Sequence, residues 1–207
     1  MIVRLRKRLL VATGSSHKLA ELKLLLDLPN TDLVSLADVG ITDDVEETGA
    51  TFEDNARLKA KHYGAMSGLP TLADDSGIEV DALGGRPGVK TRRYSGADAT
   101  DAKNNRKLLG EMNGFYGPDE RTARYRCVLV LFEDGAVAEV TRGTFEGRVA
   151  FTPRGTGGFG YDPIFEPLTE EPGGRTVGQL TTEEKNRVSH RALAARAMRE
   201  KLIARGY

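Results

Sequence analysis

The chain has 207 residues, enough for one large domain with a substantial hydrophobic core, and we predict a single domain over residues 1-207. Thirty Lys and Arg residues balance thirty Asp and Glu residues, so the net charge argues against a nucleic acid or a membrane surface as partner. The single cysteine, Cys127, excludes an intramolecular disulfide, and its apolar surroundings predict a core thiol in a reducing compartment. Residues 1–8 are basic and lead into too few apolar residues for a signal peptide or a membrane span, so we expect a cytoplasmic protein.

The first predicted element is a strand over residues 9–13, a continuous apolar run typical of a strand buried on both faces of a partly parallel sheet. Leucines then recur at helical spacing up to Pro29, so residues 14–18 form a strand-to-helix turn. Such a turn offers backbone N–H groups and a positive helix end to an anion, and Lys18 adds a charge. The spacing is not that of a P-loop, and an ordinary helix cap is the competing interpretation.

Residues 31–35 predict a second short strand, and the acidic run that follows is by itself typical of a solvated loop. Thr51 and Asp54 resemble a capping box, and the apolar stripe behind them, which ends at Met66, predicts a helix over residues 52–67. Asn55 and Lys59 lie four residues apart on one face of this helix and could both face a ligand. The alternative is an exposed polar face.

The next strand begins after Pro70 and is predicted to end at two adjacent carboxylates, Asp74 and Asp75. In open α/β sheets the ligand crevice lies outside the carboxyl ends of strands, so the pair is well placed for a metal ion and its phosphate. Neighbouring strand residues point to opposite faces, which predicts different roles for the two carboxylates. Because Asp, Ser and Gly all favour turns, a solvated turn is the alternative.

The second half of the chain combines a hairpin with further helices. Residues 78–80 alternate like a separate half-buried strand, residues 83–88 form a loop, and residues 99–112 predict a polar helix. Residues 121–132 and 136–145 predict two strands joined by a turn at residues 133–135, with Cys127 on the core face of the first. An antiparallel hairpin beside strand–helix units predicts a mixed sheet.

Two segments near the end of the chain have the composition of ligand-binding sites. Residues 155–160 contain four glycines, which let a backbone approach a ligand closely, and an exposed Phe159 could stack on a flat ligand; a strained structural loop is the alternative. A capping box at residues 181–184 begins a C-terminal helix. If the helix restarts at Ser189, His190 and Arg191 lie at a helix N-terminus, although a lone histidine on a helix is more often structural.

Six segments of the sequence together resemble one protein family, the inosine triphosphate pyrophosphatase family. In chain order they are Thr13-Gly14-x-x-x-Lys18, Glu46-Glu47-Thr48-Gly49, Thr51-Phe52-x-x-Asn55-Ala56-x-x-Lys59-Ala60, Ala73-Asp74-Asp75-Ser76-Gly77, Gly157-Gly158-Phe159-Gly160-Tyr161-Asp162-Pro163 and Ser189-His190-Arg191. Their order and spacing over nearly the whole chain make chance agreement implausible. The sequence departs from the family at Ser15, where Asn is frequent, and at Arg92, where a small residue is common; neither departure touches the acidic pair.

The resemblance implies an α/β fold with an elongated mixed β-sheet, flanking helices and two lobes around a nucleotide cleft, usually in a homodimer. It implies hydrolysis of noncanonical purine nucleoside triphosphates (ITP, dITP and XTP) to the monophosphate and pyrophosphate. The corresponding biological role is the removal of deaminated purines from the nucleotide pool.

By the same resemblance, Glu47 and Asp75 would hold Mg²⁺, and Asp75 or its neighbour Asp74 would orient the attacking water. Hard carboxylate ligands that leave several waters on the ion suit Mg²⁺ better than a set of His and Cys ligands would. We therefore expect Mg²⁺ as the cofactor and Asp75 as the catalytic residue.

The resemblance also implies which residues contact the substrate. The triphosphate would be held by residues of the first turn, namely Thr13, Gly14, Ser15, Ser16, His17 and Lys18, with Lys59 adding a charge. Phe159 would stack on the base, and Lys185, His190 and Arg191 would meet the base edge or the phosphates. The remaining predicted substrate-binding residues are Ser76, Gly160, Tyr161 and Asp162.

Two other kinds of protein remain open at this point. A non-catalytic purine nucleotide-binding regulator would need the same cleft, but two carboxylates would repel a polyphosphate unless a metal ion lay between them. A nucleic-acid-binding module would need a basic stripe, which the neutral overall charge disfavours.

Overall fold

The computed structural model describes residues 6–207. Residues 1–5 belong to the basic segment for which we predicted neither a signal peptide nor a membrane span, and they lie outside this range. Within residues 6–207 there are six strands and five α-helices. The strands are β1 (Lys7–Ala12), β2 (Thr31–Ser35), β3 (Thr71–Val80), β4 (Thr122–Glu133), β5 (Ala136–Val149) and β6 (Phe165–Pro167). The helices are α1 (Ser16–Leu26), α2 (Phe52–Ser67), α3 (Asp101–Glu111), α4 (Thr182–Val188) and α5 (His190–Ala204).

The strands form a mixed sheet in the order β2-β1-β3-β4-β5-β6, which confirms the predicted α/β class. β1 pairs in parallel with β2, where Leu10 lies opposite Val34, and with β3, where Leu10 lies opposite Thr71. β5 pairs antiparallel with β6. Asp134 and Gly135, between β4 and β5, both have positive φ, as the tight turn of a two-residue hairpin requires.

The chain divides into two compact units. Unit 1 comprises residues 6–75, Val128–Arg142 and Arg191–Tyr207, and unit 2 comprises Ser76–Cys127 and Gly143–His190. The predictions of one domain and of two lobes around a cleft stay predictions. Among the helices of residues 6–207, none combines the length and the hydropathy that crossing a bilayer requires.

The core of unit 1 forms around β1, whose apolar residues 9–12 are fully buried, as a strand covered on both faces should be. The predicted helical stripes are also buried in part: α1 buries Leu22 and Leu26, and α2 buries Ala56 and Ala60. The stripe prediction is wrong for Met66, which is exposed near the end of α2.

The core of unit 2 includes residues from β3, β4, β5, α3 and the segment around β6: Ile78, Val80, Leu108, Ala123, Tyr125, Phe145, Tyr161, Ile164 and Phe165. Cys127 is buried, which confirms the prediction of a core thiol. The last helix does restart after Ser189, the case that the sequence left open, because Ser189 is extended between α4 and α5 (ψ 153°).

The structure corrects one prediction about the acidic pair. β3 does not end at Asp74 and Asp75 but continues through them to Val80, so that the predicted strand over residues 78–80 belongs to the same element. Both carboxylates are buried, at 1% and 6% exposure, so the alternative of a solvated turn is wrong. Buried carboxylates need partners, and the partners decide what this part of the strand can do.

Candidate functional site

Asp74 is held by cations of unit 1. The Lys18 ammonium lies 2.9 Å from Asp74 Oδ2, and Arg191 Nε lies 3.8 Å from the same oxygen. Burial would raise the pKa of Asp74, but the charges of Lys18, Arg191 and Lys59 outweigh burial and lower the pKa to about 2. Asp74 is therefore an anion at neutral pH, and its charge fixes the position of Lys18.

Asp75 has a different environment, as expected for neighbouring residues on a strand. Lys59 Nζ lies 3.1 Å from Asp75 Oδ1, and Asn55 Nδ2 donates to Oδ2 at 3.3 Å. Burial raises the pKa of Asp75 above its usual value, with further contributions from the negative charges of Glu47 and Asp74, despite the nearby lysines. Of the two carboxyls, Asp75 is the better proton acceptor.

Lys59 and Asn55 connect Asp75 with the acidic loop before α2. Lys59 Nζ also lies 2.7 Å from Glu47 Oε1, and Asn55 Oδ1 accepts a hydrogen bond from the Gly49 N–H at 2.7 Å. Both helix residues are buried, so the alternative of an exposed polar face is wrong. The predicted capping box of Thr51 and Asp54 is present and fixes where α2 begins.

Arg191 is buried in the first turn of α5, and Glu21 is its second partner. Arg191 Nη1 lies 2.5 Å from Glu21 Oε2. Glu21 lies on α1 one turn after Lys18, so the two side chains project from the same face of the helix. Lys18 pairs with Asp74, and Glu21 pairs with Arg191. The sequence analysis did not single out Glu21, although its spacing from Lys18 was a usable signal.

The turn before α1 is a capped helix start. Ser15 Oγ accepts a hydrogen bond from the Lys18 N–H at 3.4 Å, and the Ser15 N–H donates to Thr13 Oγ1 at 3.2 Å. This confirms the cap interpretation of the turn. Gly14, Ser16 and His17 are exposed beside it. Their role in binding the triphosphate stays a prediction.

The composition of this cluster suits a hard divalent ion such as Mg²⁺. Lys18, Lys59 and Arg191 carry three positive charges against four negative charges on Glu21, Glu47, Asp74 and Asp75, so a polyphosphate would meet no net positive charge. Within residues 6–207 no group of three or more His, Cys, Asp or Glu could hold a metal ion by itself. Mg²⁺ usually binds one or two carboxylates and completes its shell with waters and phosphate oxygens. Oxygens of Glu47 and Asp75 already converge on one cation, the Lys59 ammonium.

A second cluster, in unit 2, is centred on the buried side chain of Asp162. Its Oδ2 accepts hydrogen bonds from Lys185 Nζ at 2.7 Å and from the Phe159 N–H at 2.9 Å, and its Oδ1 accepts one from the Tyr125 hydroxyl at 3.2 Å. Burial raises the pKa of Tyr125 well above its usual value, so the hydroxyl keeps the proton that it donates. The Tyr125 ring in turn stacks on His190, with ring centroids 4.6 Å apart and planes 8° from parallel.

The glycine-rich loop is shaped around Asp162. Gly158 has φ +72°, and a Cβ there would lie 2.0 Å from Asp162 Oδ2, so only glycine fits this position. Phe159 is half-buried rather than exposed as predicted, because the loop folds back on Asp162. The Lys185 ammonium lies 4.6 Å from the centroid of the Phe159 ring.

Comparison of the sequence with models of protein families identifies the family of this chain. A model described as "Ham1 family" matches residues 9–201. The chain belongs to the Ham1 family. This confirms the resemblance that the six sequence segments predicted.

Relatives in this family match along nearly their whole length. The chain is 46% identical over 198 residues to the dITP/XTP pyrophosphatase of Shigella flexneri, covering 95% of this chain and 98% of that protein. It is 41% identical over 198 residues to the dITP/XTP pyrophosphatase of Bacillus subtilis, covering 96% and 98%. The solved structure of a HAM1 protein from Coxiella burnetii has a TM-score of 0.85 and 39% identity, and covers 96% of this chain and 99% of that one.

The Ham1 fold of this chain thus gathers the predicted residues into two groups. Unit 1 brings together Glu47, Lys18, Lys59, Asp75 and Arg191, and unit 2 brings together Phe159, Asp162, Lys185 and His190. The other three predicted residues of unit 2 are Ser76, Gly160 and Tyr161. Tyr161 lies in the core of unit 2, where its hydroxyl donates to the Thr91 carbonyl at 2.8 Å, and Ser76 is partly buried on β3.

Proposed function

We propose that the chain hydrolyses triphosphates of noncanonical purines, ITP, dITP and XTP, to the monophosphate and pyrophosphate. The observation that carries the proposal is the buried pair Asp74 and Asp75, whose pKa values are shifted in opposite directions among three cations. Titratable neighbours with diverging pKa values are typical of acid–base sites. The names of the relatives, dITP/XTP pyrophosphatases, support the same reaction and substrates.

In unit 1, residues 13–18 and Lys59 bind the triphosphate. The positive end of α1 attracts an anion there, and Lys18 adds a charge that Asp74 keeps in place. Arg191, held by Glu21, presents a further buried cation. The positive charges of these groups offset part of the negative charge of the triphosphate, which the attacking water has to approach.

Asp75 orients that water and accepts its proton, because its pKa is the higher of the pair. Asn55 and Lys59 keep its carboxylate in a fixed orientation. Glu47 and Asp75 hold a divalent ion, which we propose is Mg²⁺. When bound, such an ion supplies charge stabilisation on the phosphate oxygens.

In unit 2, Phe159 stacks on the purine, and Asp162 sets its position through the Phe159 N–H. Lys185 and His190 meet the base edge or the phosphates, and Ser76, Gly160 and Tyr161 complete the binding residues. The same proposal takes the protein to be a homodimer in the cytoplasm.

The test is a product assay with Mg²⁺ and a panel of ITP, dITP, XTP, ATP and GTP. Cations gathered along the triphosphate, without a P-loop fixed on the terminal phosphate, favour attack at the α-phosphorus. Pyrophosphate and monophosphate should therefore form in equal amounts, with almost no orthophosphate, and turnover should stop when the metal is chelated. Stoichiometric orthophosphate would indicate a terminal phosphatase instead. Nucleotide binding without turnover would indicate the non-catalytic regulator.

A further inference from the structure

Helix α3 holds the glycine-rich loop through two side chains that the proposed function does not use. Asp101 and Asn105 lie four residues apart, on one face of the helix. Asp101 Oδ2 accepts a hydrogen bond from the Gly160 N–H at 2.7 Å, and Asn105 Nδ2 donates to the Gly160 carbonyl at 3.1 Å. One helix face therefore fixes the peptide groups on both sides of the Gly160 Cα.

Gly160 needs to be held because its conformation is one that few residues adopt. Its φ is +64°, in the left-handed region, whereas a Cβ added there would meet nothing within 4 Å. The glycine is thus required for its backbone angle and not for space. Glycine also loses more conformational freedom on ordering than any other residue, so a loop bent at Gly160 stays in one conformation only if other groups hold it.

The held glycine directly follows Phe159. The Phe159 N–H is bound by Asp162, and the next N–H along the chain, that of Gly160, is bound by Asp101. The peptide groups before and after the Phe159 Cα therefore both have fixed partners. These two bonds, with the Asn105 bond that comes after them, set the direction of the Phe159 Cα–Cβ bond.

The state of the Asn105 amide suggests more than a packing role. Asn105 is 8% exposed, and its Oδ1 is buried and has no hydrogen-bond partner among the described residues. A buried acceptor without a partner costs about 1–3 kcal/mol, so this amide is a poor choice for stability alone. Its donor is nevertheless used, on the Gly160 carbonyl.

We propose that Asp101 and Asn105 are positioning residues that hold Gly160 so that Phe159 is oriented to stack on the purine. This inference rests on the proposed function, from which it takes the role of Phe159. Neither residue needs to touch the substrate. Their effect should therefore fall on nucleotide affinity, and it should depend on the Phe159 ring.

The first test compares Asn105→Ala with Asn104→Ala. Asn104 is the matched control: it is the neighbouring residue on α3, is also buried, and also donates to a main-chain carbonyl, that of Arg92 at 3.0 Å, but does not bond Gly160. With ITP, Asn105→Ala should raise KM about tenfold, part of the ~1–3 kcal/mol that base stacking provides, with kcat within about threefold of wild type. Asn104→Ala should lower Tm and leave KM within about twofold. Equal KM changes in the two variants, or an unchanged KM in Asn105→Ala, would overturn the proposal.

The second test uses Asp101, which is exposed and whose variants should fold. Asp101→Asn keeps an oxygen that can accept from the Gly160 N–H, whereas Asp101→Ala has none. The proposal predicts a KM for ITP near wild type in Asp101→Asn and raised several-fold in Asp101→Ala. Equal values in the two variants would show that the hydrogen bond to Gly160 does not matter.

The decisive measurement is a double-mutant cycle with Phe159→Ala. If α3 acts through the Phe159 ring, adding Asn105→Ala to Phe159→Ala should change KM less than about twofold. A full tenfold further increase would contradict that route. Failure of the proposed function looks different, because wild type itself would then show no turnover of ITP. Equilibrium dialysis of ITP compares the affinities of the same variants even in that case.

Discussion

In unit 1 the carboxylates of β3 are held by charged side chains, Asp74 by Lys18 and Asp75 by Lys59. In unit 2, Asp162 is also paired with a lysine, Lys185, but the pattern differs because Asp162 and the α3 residues in addition hold main-chain groups of the loop around Phe159. The first arrangement fixes the charge states of side chains, and the second fixes the direction of a backbone. A substitution that keeps shape but changes charge should therefore do most damage in unit 1. In unit 2 the damage should come from losing a hydrogen bond or a ring.

The largest effect is expected for Asp75→Asn, which keeps the shape of the side chain but removes its charge and its capacity to accept a proton. Turnover of ITP should fall by more than ~100-fold, about 3 kcal/mol or more, the scale of losing one preorganised electrostatic group. Asp74→Asn should also be damaging, because Lys18 loses its partner. The measurement is kcat at saturating ITP and Mg²⁺.

The control for Asp75→Asn is Glu79→Gln, which neutralises another carboxylate of β3. Glu79 forms an ion pair with Arg126 at 3.1 Å, and both side chains are partly exposed, so its loss should have little effect on turnover. Wild-type turnover in Asp75→Asn would remove Asp75 from the chemistry. An equal loss in both variants would point to a general effect on the sheet.

The next largest effect should be a loss of unfolding free energy when Lys59 is replaced. Burial lowers the pKa of Lys59, but Asp75, Asp74 and Glu47 together outweigh burial and raise it, so the side chain stays charged among carboxylates. Lys59→Met would leave Glu47 and Asp75 without their shared cation. Removing one partner of a buried ion pair costs about 3 kcal/mol or more, and urea unfolding should show a loss of this size.

Added Mg²⁺ should recover part of that loss, because the ion can take the place of the ammonium between two carboxylates. Lys61→Met is the control: it lies on the same helix, but its side chain is exposed, and it should change the unfolding free energy by less than about 0.5 kcal/mol. Equal destabilisation by the two substitutions would mean that Lys59 is not the cation on which this cluster depends.

Local signals were sufficient for the elements that present the unit 1 site. The capping box and the apolar stripe predicted α2 over residues 52–67, and the structure has it at Phe52–Ser67. The apolar run likewise predicted β1, and alternation with the turn at residues 133–135 predicted the hairpin. In each case the residues that specify the element lie within the element itself or next to it.

The prediction for β3 was wrong because its stability depends on residues far away in the chain. Two adjacent aspartates followed by Ser and Gly are typical of a strand end. They continue as buried strand here because Lys18, Lys59 and Arg191, from three different helices, supply the compensating charge. The role of Tyr125 was missed for the same reason, because its hydroxyl bonds to Asp162, which lies 37 residues further along the chain.

In unit 2, Phe159→Ala should remove the stacking surface. A π face suits any purine, so kcat/KM should fall for ITP and ATP together, by about 1–3 kcal/mol on the stacking scale, while their ratio stays constant. Phe151→Ala is a suitable control because Phe151 is also an aromatic residue of unit 2, exposed to solvent and in contact with the Arg121 guanidinium. That variant should keep wild-type kcat/KM. A changed ratio in Phe159→Ala would give the ring a part in base selection.

The smallest effect concerns the choice of base, for which His190 is the candidate. The 6-oxo group of hypoxanthine accepts hydrogen bonds, whereas the 6-amino group of ATP donates them, so a donor at this position would face ATP donor to donor. An unmet buried polar group costs about 1–3 kcal/mol, enough for a preference of roughly tenfold or more. His190→Ala should therefore narrow the ITP to ATP ratio of kcat/KM by about that factor.

The matched control for His190→Ala is Tyr125→Phe. His190 is buried at the start of α5, and its ring stacks on Tyr125, so His190→Ala removes a packing contact together with the donor. Tyr125→Phe keeps the stacked ring but loses the hydroxyl that binds Asp162, and so it disturbs the Phe159 loop without touching the donor. It should lower kcat/KM for ITP and ATP equally. If His190→Ala does the same and leaves the ratio unchanged, the histidine serves to pack against Tyr125, and base selection must come from another group.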